Sequence, residues 1–514
     1  MKKLISLLLI VILLMNVLPM TTFAVPVPIF VPDLEFDLDA VITENSPELM
    51  RIIAFAEGQT SGYGSNGKFL EPIESPNPDG TKIYTEQDLW NIRNNLSGSY
   101  VLMNDLDLSK VNDGQWVPIG DNSTNSNASM FTGVFDGQGH IIKNLTITGD
   151  TYRYAGLFGC IGDAEIKNVC VEDTYIDIYY PVFCYAGGIC GFSSSSSYIS
   201  SSISNCYNTG DISSSSSSAS SHAGGICGYS GSSGFISSSS SISNCYSTGD
   251  VSSSAAASSY AGGICGRSGS NNYSPISNCY NTGDISSSSY SSDSSDSDSY
   301  AGGICGYNMS AVSYCYNTGA VSSSSSSSPY TTSYAGGICS YSYSSISNCY
   351  NTGAISSTSY SSPFSSPLSG SEAGGICGYN NNSTSSSISN CYNKGAVSSF
   401  SSSSYSSFAG GIISISYSYI SNCYNTGAVS CSSSSYSSYA GGICGNNINS
   451  TSNCYNTGAV SSSAAHSYAG GICGSNSRSS ISNSRLLSLK KLKDLLVIAI
   501  SALFVVQRVQ HMGL

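Results

Sequence analysis

The chain has 514 residues, a net charge of −13 and only 10% charged side chains, against about a quarter in an average soluble domain. The charges concentrate before residue 180 and form no basic stripe, which excludes a nucleic-acid surface built on clustered Lys and Arg. A self-similar array in the second half overrides the usual inference of several domains from length, because each unit of such an array packs only on its neighbours.

Lys2 and Lys3, the apolar run Leu4–Val17 and the small residues around Thr22-Phe23-Ala24 read as a signal peptide over 1–24, with a retained membrane anchor as the alternative. Both place the rest of the chain outside the cytoplasm, secreted or on the cell surface. Residues 25–84, rich in Pro, Asp and Glu, read as a spacer. One short helix is expected within it, capped by Ser46, started by Pro47 and stopped at Gly58.

From 85 to 185 the pattern changes. Thr85-Glu86-Gln87-Asp88 resembles a capping box and predicts a helix carrying Leu89, Ile92 and Leu96. Short alternating runs follow at 100–102, 106–108, 134–135, 140–142 and 145–147, punctuated by Gly and Asn-Asp as strands and tight turns are. Ala155-Gly156-Leu157-Phe158-Gly159 then opens a divergent first copy of what comes next.

Between 186 and 483 one phrase recurs: Ala-Gly-Gly-Ile-Cys-Gly, then Ile-Ser-Asn-Cys-Tyr-Asn-Thr-Gly, then a serine tract. Its Ala falls at 186, 223, 261, 301, 335, 373, 409, 440 and 469. The spacing varies through the serine tracts, as for a fixed rung with one adjustable, hydrated loop. Three strands per copy are expected: Gly-Gly-Ile-Cys, Ile-Ser-Asn-Cys-Tyr, and the Ile-Ser or Val-Ser pair after a turn whose Gly is free to take positive φ. The fold predicted is all-β, a right-handed parallel β-helix with the helix near Glu86 as its N-terminal cap. At about 4.8 Å per rung, ten rungs make a rod of roughly 50 Å. Residues 484–514 leave the repeat vocabulary. Lys490, Lys491 and Lys493 precede an apolar stretch, Leu495–Val506, too short to span a bilayer comfortably. A helical cap, a membrane-associated helix and an end replaced by a reading-frame change remain alternatives, and membrane contact is expected only through this tail.

The two recurring phrases resemble the GLUG-motif repeat of bacterial secreted and surface proteins. Leu102–Leu108, Trp116-Val117-Pro118-Ile119-Gly120 and Phe135–His140 resemble the segment that leads into such repeats, so the likeness covers about 85–483. Immunoglobulin A1-specific metallopeptidases carry similar repeats beside a zinc domain. None of the four histidines, His140, His222, His466 and His511, begins the His-Glu-x-x-His that such a domain needs.

Twenty cysteines in a chain read as secreted raise the question of disulfides. One recurring Cys follows Gly-Gly-Ile, as at Cys190 and Cys305, and the other precedes Tyr, as at Cys206 and Cys315. Ile413 replaces the first kind while its mate Cys423 remains, and Ser484 stands where Cys473 would find a partner. A site that takes Cys or Ile is an apolar core site, so stacked reduced thiols are expected, with disulfides and metal ligation as alternatives.

Asp211, Asp250 and Asp284 follow Thr-Gly in three successive copies, where later copies have Ala. Stacked rungs would bring these carboxylates about 5 Å apart, and calcium could bridge them, although solvated turn residues are the simpler reading. Asp293, Asp296 and Asp298 form a second acidic run in a serine tract. No other cofactor is expected. Arg267 is the one base near these acids in sequence, and no Gly-x-Ser-x-Gly elbow or asymmetric carboxylate pair accompanies it. Enzymatic activity is therefore not expected, a polysaccharide-acting enzyme being the rival. Tyr recurs after Cys and before Ala-Gly-Gly, either as packed ladders or as a stripe for sugar rings. The function expected is a structural or adhesive rod that meets a host or other extracellular surface component. A carbohydrate-binding module is the alternative, with a glycan as its partner.

Overall fold

The computed structural model describes residues 79–486 except 121–128, 196–199, 233–239, 270–273, 292–296, 328–330, 362–369, 382–385, 403–405, 435, 478–479 and 483. The stretch read as a signal peptide, the helix read at 46–58, most of the stretch read as a spacer, residues from 487 with His511, and both Asp293 and Asp296 lie outside the described residues.

The first strand, Thr81–Ile83, falls inside the stretch read as spacer and pairs in parallel with Ser99–Leu102. Between them lies the expected helix, Glu86–Asn91. The Thr85 hydroxyl accepts from the Asp88 N–H, and the Asp88 carboxylate accepts from the Thr85 N–H, so the capping box is complete. Leu89 and Ile92 are wholly buried on the first rung. Trp90 and Trp116 meet edge to face at 5.7 Å, and the Arg93 guanidinium lies over both rings while donating to the carbonyl of Trp90 at 2.7 Å and to that of Val117. Phe131, Phe135 and Phe158 fill the interior behind this cap.

Beyond the cap the chain coils as an all-β parallel solenoid of about ten turns whose strands stack into five parallel sheets. The rung starting at Ser259 shows the plan. Ser259–Gly262 belongs to a Tyr-Ala-Gly sheet, Cys265–Ser268 to a Cys-Gly sheet, Ile276–Ser277 to an Ile-Ser sheet, Tyr280–Asn281 to a Tyr-Asn sheet and Ile285–Ser291 to a serine sheet. Three expectations need correction here.

Neither Gly-Gly-Ile-Cys nor Ile-Ser-Asn-Cys-Tyr is one strand: Gly262 ends a strand of one sheet and Cys265 begins a strand of another, and Ile-Ser-Asn-Cys-Tyr divides as well. Its Asn turns a corner in the left-handed region, with φ of 53° at Asn278 and 54° at Asn205 and Asn348, so Ile-Ser and Cys-Tyr lie on different sheets. Among residues with a Cβ, Asn tolerates this conformation best. The glycine of Thr-Gly is needed for a different reason than the one inferred. No repeat glycine from 186 onward has positive φ. Instead, a Cβ on Gly353 would collide with the carbonyl oxygen of Gly319 one rung below.

The serine tract, finally, is not simply a loop. Its first residues are strand, and alternate hydroxyls face inward, with Ser287, Ser289, Ser323 and Ser325 all at 3% exposure or less. Inside, Ser287 donates to Ser259, Ser299 to Ser287, Ser323 to Ser299 and Ser333 to Ser323 at 2.9–3.0 Å, a hydroxyl chain that climbs the rungs. Length variation falls in two connections rather than one, before the Ile-Ser strand and before the Tyr-Ala-Gly strand. Compare Ser268 to Ile276 with Asn308 to Val312, and Ala255 to Ser259 with Ser361 to Gly370.

The other half of the interior is apolar. Ile264, Cys265, Ile276, Cys279 and Ile285 of one rung are all at most 1% exposed, and each Ile contributes about 2 kcal/mol of burial. A buried asparagine ladder joins the two halves. The Asn281 amide donates to Asn317, Asn317 to Asn351, Asn351 to Asn393, Asn393 to Asn425 and Asn425 to Asn456, all at 2.8–2.9 Å. The same Nδ2 also reaches the carbonyl two residues on, as from Asn351 to Gly353 at 2.8 Å. Paired strands run to Arg485–Leu486, three residues into the stretch read as tail.

Candidate functional site

All twenty cysteines are free thiols; nineteen are buried and Cys473, on the last rung, is half-buried. The first column runs Cys190, Cys227, Cys265, Cys305, Cys339, Cys377, Ile413 and Cys444, and begins below at Phe158. Register places Cys170 opposite Tyr207, so Val169 occupies the first place of the second cysteine column. Phe, Ile and Val at these places mark them as packing sites. Thiols of both columns donate locally, Cys227 Sγ to the Tyr229 carbonyl at 3.1 Å and Cys245 Sγ to that of Ser243 at 3.1 Å. Burial pushes the thiols of Cys265, Cys305 and Cys444 up, and that of Cys473 to about 12, which suppresses the reactive thiolate there.

The tyrosines form stacked columns. On the Tyr-Asn sheet Tyr207, Tyr246, Tyr280, Tyr316 and Tyr350 lie face to face with centroids 4.7–4.8 Å apart. A ring stacked on both sides has no free face to offer a sugar, so the inner members of this stripe are consumed by packing. A second column on the Tyr-Ala-Gly sheet runs Tyr154, Tyr185, His222, Tyr260, Tyr300 and Tyr334 with centroids 4.6–5.2 Å apart. The imidazole of His222 is 2% exposed, and burial, followed by the charges of Arg267 and Arg153, holds its pKa well below the ordinary value.

Arg267 is not with the Asp residues. It stands in register with Tyr229 and Tyr307 on the Cys-Gly sheet, and its guanidinium lies 5.0–5.9 Å from the rings of Tyr307, Tyr260 and Tyr229. Asp298, from the serine tract, accepts from the Tyr300 hydroxyl at 3.0 Å and from the Thr332 N–H at 3.1 Å.

Asp211, Asp250 and Asp284 do form a column, at the start of the serine sheet. Each gives one oxygen to the next rung. Asp211 Oδ1 accepts from the Asp250 N–H at 2.9 Å, Asp250 Oδ1 from Asp284 at 2.8 Å, and Asp284 Oδ1 from Ala320 at 2.8 Å. All three are exposed. With one oxygen each committed to backbone, they fall short of the six to eight oxygen ligands calcium takes. Among the described residues no three His, Cys, Asp or Glu side chains form a group able to hold a metal ion.

The column borders a shallow groove of about 410 Å³ lined also by Tyr175, Asp177 and the outward serines Ser213, Ser252, Ser286 and Ser322. Further along the same face Asp gives way to Ala320, Ala354 and Ala396, beside Ser322, Ser356 and Ser398. The result is a ribbon of small neutral side chains repeated once per rung. Sequence reasoning found the Asp column but missed the asparagine ladder, because Asn-Thr-Gly also reads as a turn.

No family model matches the chain. A 111-residue stretch is 35% identical to a protein of Evansella cellulosilytica named "Putative Gly-rich membrane protein", covering 20% of this chain and 12% of that one, so the chain spans well under two thirds of that relative. Among the described residues no helix is long and apolar enough to cross a membrane. Among solved structures, a crystal structure named as that of a putative immunoglobulin A1 protease from Bacteroides ovatus is similar over 61% of this chain and 76% of its own, with a TM-score of 0.35 and 22% identity. A second structure, named IgA1 Protease, is similar over 68% of this chain and 21% of its own, with a TM-score of 0.32 and 12% identity. With identities below 25% and TM-scores below 0.5, these likenesses do not extend to an activity for this chain.

Proposed function

We propose that the chain is a non-catalytic structural and adhesive protein of the cell exterior, which meets a host or other extracellular surface component through side-chain columns repeated along its solenoid. One observation carries this reading: at the first two outward positions of the serine sheet, Ala320, Ala354 and Ala396 with Ser322, Ser356 and Ser398 repeat the same small side chains rung after rung. Individually weak contacts at fixed spacing add up through effective concentration. The experiment is a series of chains with two, four and six internal rungs deleted, measured for attachment to extracellular matrix and glycan-coated surfaces. Attachment should fall steeply with each pair of rungs removed. Attachment independent of rung number, or cleavage of immunoglobulin A1 or an acidic polysaccharide by the purified chain, overturns the reading.

The groove beside Asp211, Asp250 and Asp284 favours a second reading, a carbohydrate site in which carboxylates and serine hydroxyls bind sugar hydroxyls. A glycan array comparing the chain with its Asp250→Ala variant decides it: a sugar bound equally by both refutes this site.

A further inference from the structure

The repeat is broken by several substitutions at one place. Every other rung of the Tyr-Ala-Gly sheet carries a ring before Ala-Gly, but Glu372 stands between Tyr334 and Phe408 in the column. The rings beyond remain stacked, Tyr300 on Tyr334 and Phe408 on Tyr439, each at 5.0 Å, so the stack lacks one member. The next rung departs from the repeat in step. Ser414 replaces the Gly found at Gly378 and Gly445, as Ser340 also does in the rung of Tyr334, and Ile415 replaces the Tyr found at Tyr341 and Tyr379. Ser414 Oγ, which also meets the Gly378 carbonyl, lies within hydrogen-bond distance of Glu372 Oε2 at 3.2 Å. Tyr379 meets Tyr334 edge to face at 6.1 Å beside the gap.

Glu372 is 7% exposed, while Tyr334, Phe408 and Tyr379 each keep part of a ring in solvent. The titratable groups that feel this carboxyl are Asp298, Tyr334, Tyr379 and Cys377, and no Lys or Arg is among them. Burial, opposed by the Ser414 hydroxyl, keeps its pKa well above the usual carboxylate range. The place is an aromatic enclosure holding an acid and lacking a cation.

We propose that this break in the stack is a binding site for a methylated ammonium group, whose head enters between Tyr334 and Phe408, against the edge of Tyr379, and pairs with the Glu372 carboxylate. Ring faces attract a cation, most strongly one that sheds water easily. A hydrated metal ion needs several oxygens, and a primary ammonium needs three acceptors. One carboxylate and three rings suit a quaternary head better than either. On binding, the carboxyl releases its proton to solvent as the cation takes its place.

The test is titration of the full chain with tetramethylammonium chloride, followed by the ring proton resonances of Tyr334, Tyr379 and Phe408, with sodium chloride at equal ionic strength as the reference. Saturable binding is expected, tightening by up to about tenfold per pH unit while the free carboxyl remains protonated. Glu372→Tyr restores the residue the other rungs carry and should weaken binding at least tenfold; Glu372→Gln, which keeps the shape, should weaken it and remove the pH dependence. No saturable binding, equal shifts with sodium, or undiminished binding by either variant overturns the proposal.

Discussion

The asparagine ladder has one gap. Ser247 lies in register between Asn208 and Asn281, and the Ser247 Oγ, the Asn208 Oδ1 and the Asn281 Oδ1 are all buried without a hydrogen-bond partner. A Ser247→Asn substitution should close it. The new Nδ2 would donate to Asn281 Oδ1 and to the Gly249 carbonyl, as Asn281 does to Asn317 and Gly283 at 2.9 and 2.6 Å. The new Oδ1 would accept from Asn208. Three buried hydrogen bonds at about 1 kcal/mol each, less the cost of ordering a longer side chain, give about 2 kcal/mol of stabilisation. Because a repeat array opens by units, the readout is amide hydrogen exchange in the rungs around 247 rather than a global midpoint. At 1.4 kcal/mol per decade, exchange there should slow by about 30-fold. Unchanged or faster exchange would mean that the unpaired atoms cost nothing, and the ladder argument would fail.

The remaining predictions concern the glycines, the imidazole and the thiols. Gly353→Ala should destabilise its rung by about 3 kcal/mol, because the new Cβ meets the Gly319 carbonyl and neither backbone can give way; limited proteolysis should cut there first, and an intact rung refutes the steric claim. His222 in the folded chain resists protonation while the unfolded chain takes a proton below about pH 6.5, so stability should fall as pH drops through that value, by at most ~1.4 kcal/mol per unit. His222→Tyr, the residue of the neighbouring rungs, should remove that slope from urea titrations at pH 7 and pH 5; an unchanged slope assigns it elsewhere. Brief iodoacetamide treatment should label Cys473 first and mid-array thiols such as Cys305 only in denaturant, read by peptide mass spectrometry; equal labelling rates refute the closed core.

The helix at Glu86–Asn91 was legible because a capping box is a local pattern whose chemistry is complete within four residues. The parallel solenoid was legible because Ala-Gly-Gly-Ile-Cys recurs intact. Ile413 marked the first cysteine column as a packing site, which Phe158 extends; Val169 does the same for the second column. What could not be read was which way a serine faces. Ser286 and Ser287 are chemically identical, yet one is exposed and the other is 3% exposed, and only the position of Ile285 in the core sets that alternation. Asn was ambiguous for a similar reason. Asn278, expected inside a strand, turns a corner, and Asn281, three residues later and expected in a turn, lies in a buried ladder. Nothing local in the sequence sets Glu372 among rings; only register does.

The asparagine ladder also bears on inheritance. From Asn281 to Asn456 each rung brings its own donor and its own acceptor, and each joint between these rungs is made by the same pair of atoms. Unequal recombination between copies this similar would add or remove whole rungs, and the two new neighbours would meet through the joint they already used. The number of rungs can therefore drift from one lineage to the next without any of them having to solve the folding problem again.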